Sequence, residues 1–93
     1  MIKVSVMYPA GEGNTFDMEY YLGNHVEIVN RDMGPSRVEI DKQVDGPYLV
    51  ICHLYYDSME AMKAGMDNAA DALADIPNFT NSRPVVQTSE LVG

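Results

Sequence analysis

The chain has one cysteine, two histidines and no tryptophan among its 93 residues. The single cysteine, Cys52, excludes an internal disulfide and fits a reducing compartment. Basic residues are also scarce. Six Lys and Arg stand against fourteen Asp and Glu, giving a net charge of −8. The six are scattered along the chain and form no patch, so its surface should repel nucleic acid and anionic lipid. No apolar run approaches the roughly 20 residues that a membrane span needs, and no signal-peptide pattern opens the sequence. These absences lead us to expect a soluble cytoplasmic protein that binds neither nucleic acid nor membrane.

Motifs are missing too. Cys52, His25 and His53 lack the close spacing of a metal-ligand set, so no metal site is expected. Gly11-Glu12-Gly13 lacks the third glycine of a dinucleotide fingerprint. There is no phosphate-loop lysine, serine elbow or kinase motif. We therefore expect no cofactor.

What remains is an ordinary globular composition, 46% hydrophobic, and a length that suits one domain spanning 1–93. Ile2, Val4, Val6 and Tyr8 alternate with other residues, so Met1–Tyr8 reads as a strand. A Gly- and Pro-rich loop leads to Asp17, a good N-cap. A helix then runs from Asp17 to about Asp32 and is stopped by Gly34-Pro35. Met18, Tyr21, Leu22, His25, Ile28 and Val29 form its apolar stripe. Arg37–Val44 is a charged, edge-type strand with Val38, Ile40 and Val44 on one side. Tyr48–Tyr56 is apolar on both faces apart from His53 and should be central.

Asp57 or Ser58 caps a second helix, with Glu60 completing a capping-box pattern after Asp57. Its core stripe is Met59, Met62, Met66, Ala69, Ala70 and Leu73. Asp67, Asp71 and Asp75 line another side and read as a solvated face. An irregular segment containing Phe79 leads to a last strand, Val85–Val92. The order βαββαβ is the split βαβ, ferredoxin-like pattern of an α+β protein. Two helices would cover one face of a four-stranded antiparallel sheet. The other face would be bare in a monomer and invites a second copy.

His25 lies mid-stripe, where an apolar residue would pack at lower cost. A buried imidazole left without a partner costs about 1–3 kcal/mol. Such a histidine is either a satisfied structural residue or the polar group of a pocket, able to act as general acid or base. Tyr21, one turn earlier, can be a pocket wall or plain packing. On the third strand Val50, Cys52, Leu54 and Tyr56 share one face; Leu49, Ile51, His53 and Tyr55 share the other. The first set should face the helices, with Cys52 and Tyr56 beneath His25. His53 then faces the opposite side, a candidate dimer interface; the converse placement, His53 joining His25, stays open. A thiol in apolar surroundings is inert, so Cys52 is a poor nucleophile. Met18 and Met62 can form an adaptable wall or fill the core.

These residues also carry a resemblance. Tyr8-Pro9, then Phe16-Asp17-Met18-Glu19-Tyr20-Tyr21 with His25, is similar to the EthD family. So are Tyr56-Asp57-Ser58, the run Asp75-Ile76-Pro77-Asn78-Phe79-Thr80-Asn81, and Arg83-Pro84-Val85. The family takes its name from a gene cluster for breakdown of ethyl tert-butyl ether. The resemblance implies a dimeric α+β barrel, in which two sheets pack face to face and each subunit holds a pocket between its helices and its sheet. That superfamily includes cofactor-free monooxygenases acting on quinols, muconolactone isomerases and polyketide cyclases, and EthD members are often labelled oxidoreductase. Carried over by position, His25 is the family's helix histidine, Tyr21 its neighbour and Tyr56 the aromatic ending the third strand.

The resulting expectation is a homodimer. Each subunit would bind a small apolar carbonyl or phenol ligand, with His25 moving a proton and Tyr21, Tyr56, Met18, Met62 and Phe79 around the ligand. A non-catalytic carrier, or a structural dimer with a vestigial pocket, are the alternatives. Gly23, in mid-helix at a cost of about 1 kcal/mol against alanine, departs from the pattern and suggests close approach of a ligand or strand.

Overall fold

The computed structural model describes residues 1–93. Four strands, β1 (Ile2–Pro9), β2 (Arg37–Lys42), β3 (Tyr48–Tyr56) and β4 (Val85–Glu90), form one antiparallel sheet in the order β2-β3-β1-β4. The apolar strands β1 and β3 are central and the charged β2 is at an edge, as alternation and charge require. The β1–β3 register pairs Val4 with Leu54, Val6 with Cys52 and Tyr8 with Val50. This set faces the helical layer, which makes the structure α+β. Ser5 pairs with His53 on the opposite, helix-free face. There the His53 imidazole bridges Ser5 Oγ at 3.1 Å and the Asp41 carboxylate at 2.7 Å. His53 therefore does not join His25.

The helical layer is more broken than a 3.6-residue period implies. The first helix begins as α1 (Met18–Tyr20), passes through a π-helical turn, Tyr21–His25, and continues as α2 (Val26–Met33). Asp17 caps it, its Oδ1 accepting from the Tyr20 N–H at 3.0 Å. Gly34, with φ of 56°, closes it in the left-handed conformation that glycine adopts without strain. In the π turn the Val26 N–H reaches back to the Tyr21 carbonyl, five residues away. Each residue then rotates the helix less. Tyr21 and His25, four apart, fall on one buried line, and Leu22, Gly23 and Asn24 are carried outward. Leu22, expected in the core, is exposed for this reason. Gly23 meets no neighbour, so the close approach expected there is absent.

The second helix is also two pieces, α3 (Met59–Asp67) and α4 (Ala70–Asp75), followed by a 3-10 turn, Ile76–Asn78. Ser58 is its cap, with Oγ accepting from the Ala61 N–H; the Asp57–Glu60 box does not form. The break at Asn68 and Ala69 resets the helical phase. Met62, Ala69 and Ala72 are buried, whereas Met59, Ala70 and Leu73, expected beside them, are exposed. By the same reset Asp75 turns inward and is only 7% exposed, contrary to the solvated face expected of it. Val44 lies beyond the end of β2 and is exposed rather than packed.

Gly65 marks a close approach of α3 to the end of α2 and the end of β3. The Tyr56 hydroxyl, from the end of β3, donates to the Met33 carbonyl at the end of α2 at 3.0 Å. That bond passes against the Gly65 Cα: a Cβ there would lie 2.7 Å from the Tyr56 oxygen and closer still to the Met33 oxygen. We expect Gly65→Ala to cost about 1–3 kcal/mol in urea unfolding, the usual cost of overpacking. Gly23→Ala, in open space, should instead leave stability equal or raised by up to about 1 kcal/mol. Equal effects of the two substitutions would refute this packing.

Candidate functional site

The site is built where the first helix crosses the segment after α4. A backbone clamp holds the two together. The Asp17 N–H donates to the Phe79 carbonyl at 2.7 Å, and the Thr80 hydroxyl donates to the Thr15 carbonyl at 2.6 Å. Asn81 ties the same loops, accepting from the Thr15 N–H and donating to the Gly13 carbonyl. The clamp sets Phe79 edge-on to Tyr8, Phe16 and Tyr21, with ring centroids 4.8–5.7 Å apart. Its ring lies 4.6 Å from the His25 imidazole. Tyr21 stacks on the imidazole as well, at 5.2 Å and 20°.

Asp75 completes the arrangement. His25 Nδ1 is 3.0 Å from Asp75 Oδ2. The Tyr20 hydroxyl donates to Oδ1 at 2.6 Å, and the Asn78 amide donates to the same oxygen at 3.0 Å. Burial works against the charge of Asp75, but the donors Tyr20, Asn78 and His25 outweigh it and hold the carboxyl below its ordinary value. The carboxylate is thus ionised at neutral pH and accepts only, so His25 Nδ1 must carry its proton. Burial pushes the imidazole below its ordinary pKa of 6.5; Asp75 pulls upward without restoring it. His25 is accordingly neutral at pH 7, with Nε2 a free base.

His25 lines an apolar cavity of about 140 Å³ between the helices and the sheet. Tyr8, Tyr21, Cys52, Leu54 and Val29 are among its walls. Leu73 and Val86, both more than half exposed, stand at its rim. Cys52 is inert here, because burial raises its thiol pKa to about 11. Of the residues expected around a ligand, His25 and Tyr21 line this cavity, and Phe79 packs behind them. Tyr56 is buried and turned toward Met33, away from the cavity. Met62 is buried in the core and Met18 is half-buried against it; neither lines the cavity. No three His, Cys, Asp or Glu side chains gather as a metal-ligand group. No helix is long and apolar enough to cross a membrane.

The sequence reading missed Asp75, Tyr20 and Asn78. The available signal was Asn68, a residue that favours helix ends. A break there takes Asp75 out of phase with Asp67 and places it directly before Ile76-Pro77-Asn78.

Fold and cavity define an α+β protein of ferredoxin-like topology with a buried histidine–aspartate pair at an apolar pocket. Comparison with solved structures gives the family. The chain is 36% identical to an EthD-like protein from Ralstonia eutropha JMP134, with a TM-score of 0.90 over 99% of this chain and 92% of that one. The chain belongs to the EthD-like family. Two more distant structures share the fold. An ethyl tert-butyl ether degradation (EthD) family protein from Bacillus halodurans C-125 is 19% identical, with a TM-score of 0.69 over 99% of both chains. HapK from Hahella chejuensis is 12% identical, with a TM-score of 0.67 over 100% of this chain and 94% of that one. No family model matches the sequence, and no curated protein matches it.

Asp75 controls His25 through one hydrogen bond and one charge. Asp75→Asn should therefore lower the His25 pKa further, since the neutral amide no longer favours imidazolium. The imidazole proton shifts followed by NMR across pH 4–8 would read this change, and an upward movement would refute the assignment.

Proposed function

We propose that this protein binds a small apolar phenol or enolisable carbonyl compound in the cavity, and that His25 Nε2 removes a proton from it. The observation that carries this reading is the His25–Asp75 pair at the cavity wall. An ionised carboxylate on Nδ1 fixes the tautomer and leaves Nε2 as the unprotonated nitrogen of a residue that lines the cavity. Proton transfer from a phenol O–H or an α-C–H yields a phenolate or enolate and an imidazolium that Asp75 stabilises. Such an anion is the shared first step of oxidation by O₂, of isomerisation and of cyclisation. Tyr21, stacked on the imidazole, and Phe79, tilted against it, pack together with it in one aromatic cluster, which limits its rotation.

The second reading is a carrier that binds a pathway intermediate without converting it. The small, apolar cavity favours it as much as catalysis does, and turnover separates the two.

The working form in this proposal is a homodimer. The helix-free sheet face carries half-buried Met7 and Ile51, paired across β1 and β3, with no helix packed over them. Light scattering at micromolar concentration should give twice the chain mass; a particle of one chain mass would rule the dimer out.

Monocyclic phenols, quinols and lactones are the substrates to screen for turnover. His25→Ala and His25→Gln should abolish it while the protein stays folded by circular dichroism. In the wild type, kcat/KM should be flat above the ordinary imidazole pKa of 6.5 and fall at lower pH as Nε2 takes a proton. Full activity in both variants, or unfolding of both, would assign His25 a purely structural role.

A further inference from the structure

Tyr20 and His25 bond the two oxygens of one carboxylate. The Tyr20 hydroxyl donates to Asp75 Oδ1 at 2.6 Å, and His25 Nδ1 donates to Oδ2 at 3.0 Å. These two donors are five residues apart in the chain. In an α-helix that spacing turns side chains about 140° from each other, too far to meet on one group. The π turn, Tyr21–His25, lies between them and closes that angle. Asp17 fixes the other end, its carboxylate accepting from the Tyr20 N–H at 3.0 Å. Tyr20 is thus held at the helix start with its hydroxyl on the oxygen that His25 does not use.

No cation serves Asp75. Arg31 and Asp71 border the same surface depression, but the Arg31 guanidinium bonds Asp32 at 2.7 Å and reaches Asp71 at 3.4 Å. On the cavity side, burial raises the hydroxyls of Tyr8 and Tyr21 and the Cys52 thiol above their ordinary values, so all three are neutral at pH 7. Asp75 is therefore the charge that His25 meets, and its ionised form depends on hydrogen-bond donors. Two of them are independent of His25. The Asn78 amide is exposed and donates at 3.0 Å. The Tyr20 hydroxyl is half-buried, and its 2.6 Å bond is of the short, charge-assisted kind. A carboxylate that accepts such a bond on one oxygen has less charge to offer an imidazolium on the other.

We propose that Tyr20 is a positioning residue for proton transfer: its hydroxyl holds the Asp75 carboxylate against His25 and draws off part of its charge, so that Asp75 orients the imidazole without making it strongly basic. This rests on His25 as the base of the proposed reaction and deepens that reading. His25 and Asp75 take up a proton as a unit. Without the Tyr20 hydroxyl the carboxylate keeps more charge for the imidazolium, and the pair protonates at higher pH. Without the carboxylate, in Asp75→Asn, the imidazole protonates at lower pH. A purely structural Tyr20 would give no such opposition of signs.

The His25 imidazole proton shifts, followed by NMR across pH 4–8 without any ligand, read this directly. In Tyr20→Phe the inflection should rise by about half a pH unit, the share of one hydrogen bond that the pair feels. Tyr56→Phe is the matched control. It also loses a buried tyrosyl hydrogen bond, to the Met33 carbonyl, and should melt lower with the His25 inflection unmoved. The proposal is overturned if Tyr20→Phe leaves the inflection in place or lowers it, if Tyr56→Phe moves it equally, or if Tyr20→Phe does not fold. With a substrate in hand, the low-pH fall of kcat/KM should move up with the inflection in Tyr20→Phe. A raised inflection with no turnover of any screened compound, or with an unmoved rate profile, would uphold the control of the pair by Tyr20 and reject His25 as the base.

Discussion

A single buried carboxylate governs this structure. Asp75 receives hydrogen bonds from Tyr20, His25 and Asn78. Those three donors come from α1, the π turn and the 3-10 turn. A charge this far from water is tolerable only when its lone pairs are filled, and one missing donor would leave a costly imbalance. The need to satisfy Asp75 therefore fixes how the first helix docks on the end of α4. That docking also fixes the imidazole tautomer, so one arrangement serves both packing and chemistry.

The π turn is the second half of the same constraint. An α-helical path would leave Tyr21 and His25 on a drifting stripe and would bury Leu22. The wider turn puts both rings in register, stacked at 20°, and exposes Leu22. Its cost is a weaker hydrogen-bond ladder and an exposed leucine. Such turns are uncommon and concentrate at functional sites, and this one supplies both His25 and the ring stacked on it from the same five residues.

The two faces of the sheet divide the molecule's tasks. The helix side holds the apolar cavity, walled by alternate residues of β1 and β3. The bare side holds a polar lattice: Ser5, His53 and Asp41 in one chain of hydrogen bonds, and Arg37 over the Tyr55 ring with Glu39 on its hydroxyl. Strand alternation forces this separation, since Cys52 and His53 are adjacent in sequence and cannot share a face.

Much of this was legible in the residues themselves. Alternation in Met1–Tyr8 and the apolar run of Tyr48–Tyr56 defined the central strands, charge marked Arg37–Val44 as an edge, and Asp17 and Gly34-Pro35 delimited the first helix. The order of these elements gave the ferredoxin-like fold, and His25 on an apolar stripe singled out the residue now paired with Asp75. These features are local: they depend on period two, on period 3.6 and on capping chemistry. Tertiary structure alone decided the rest. The break at Asn68 turned Asp75 inward and Leu73 outward, and the π turn expelled Leu22. The Met33 carbonyl drew the Tyr56 hydroxyl away from the cavity. In each case a contact between segments distant in sequence outweighed the local period, because the buried polar groups Asp75, His25 and Tyr56 had to find partners that only the assembled fold could supply.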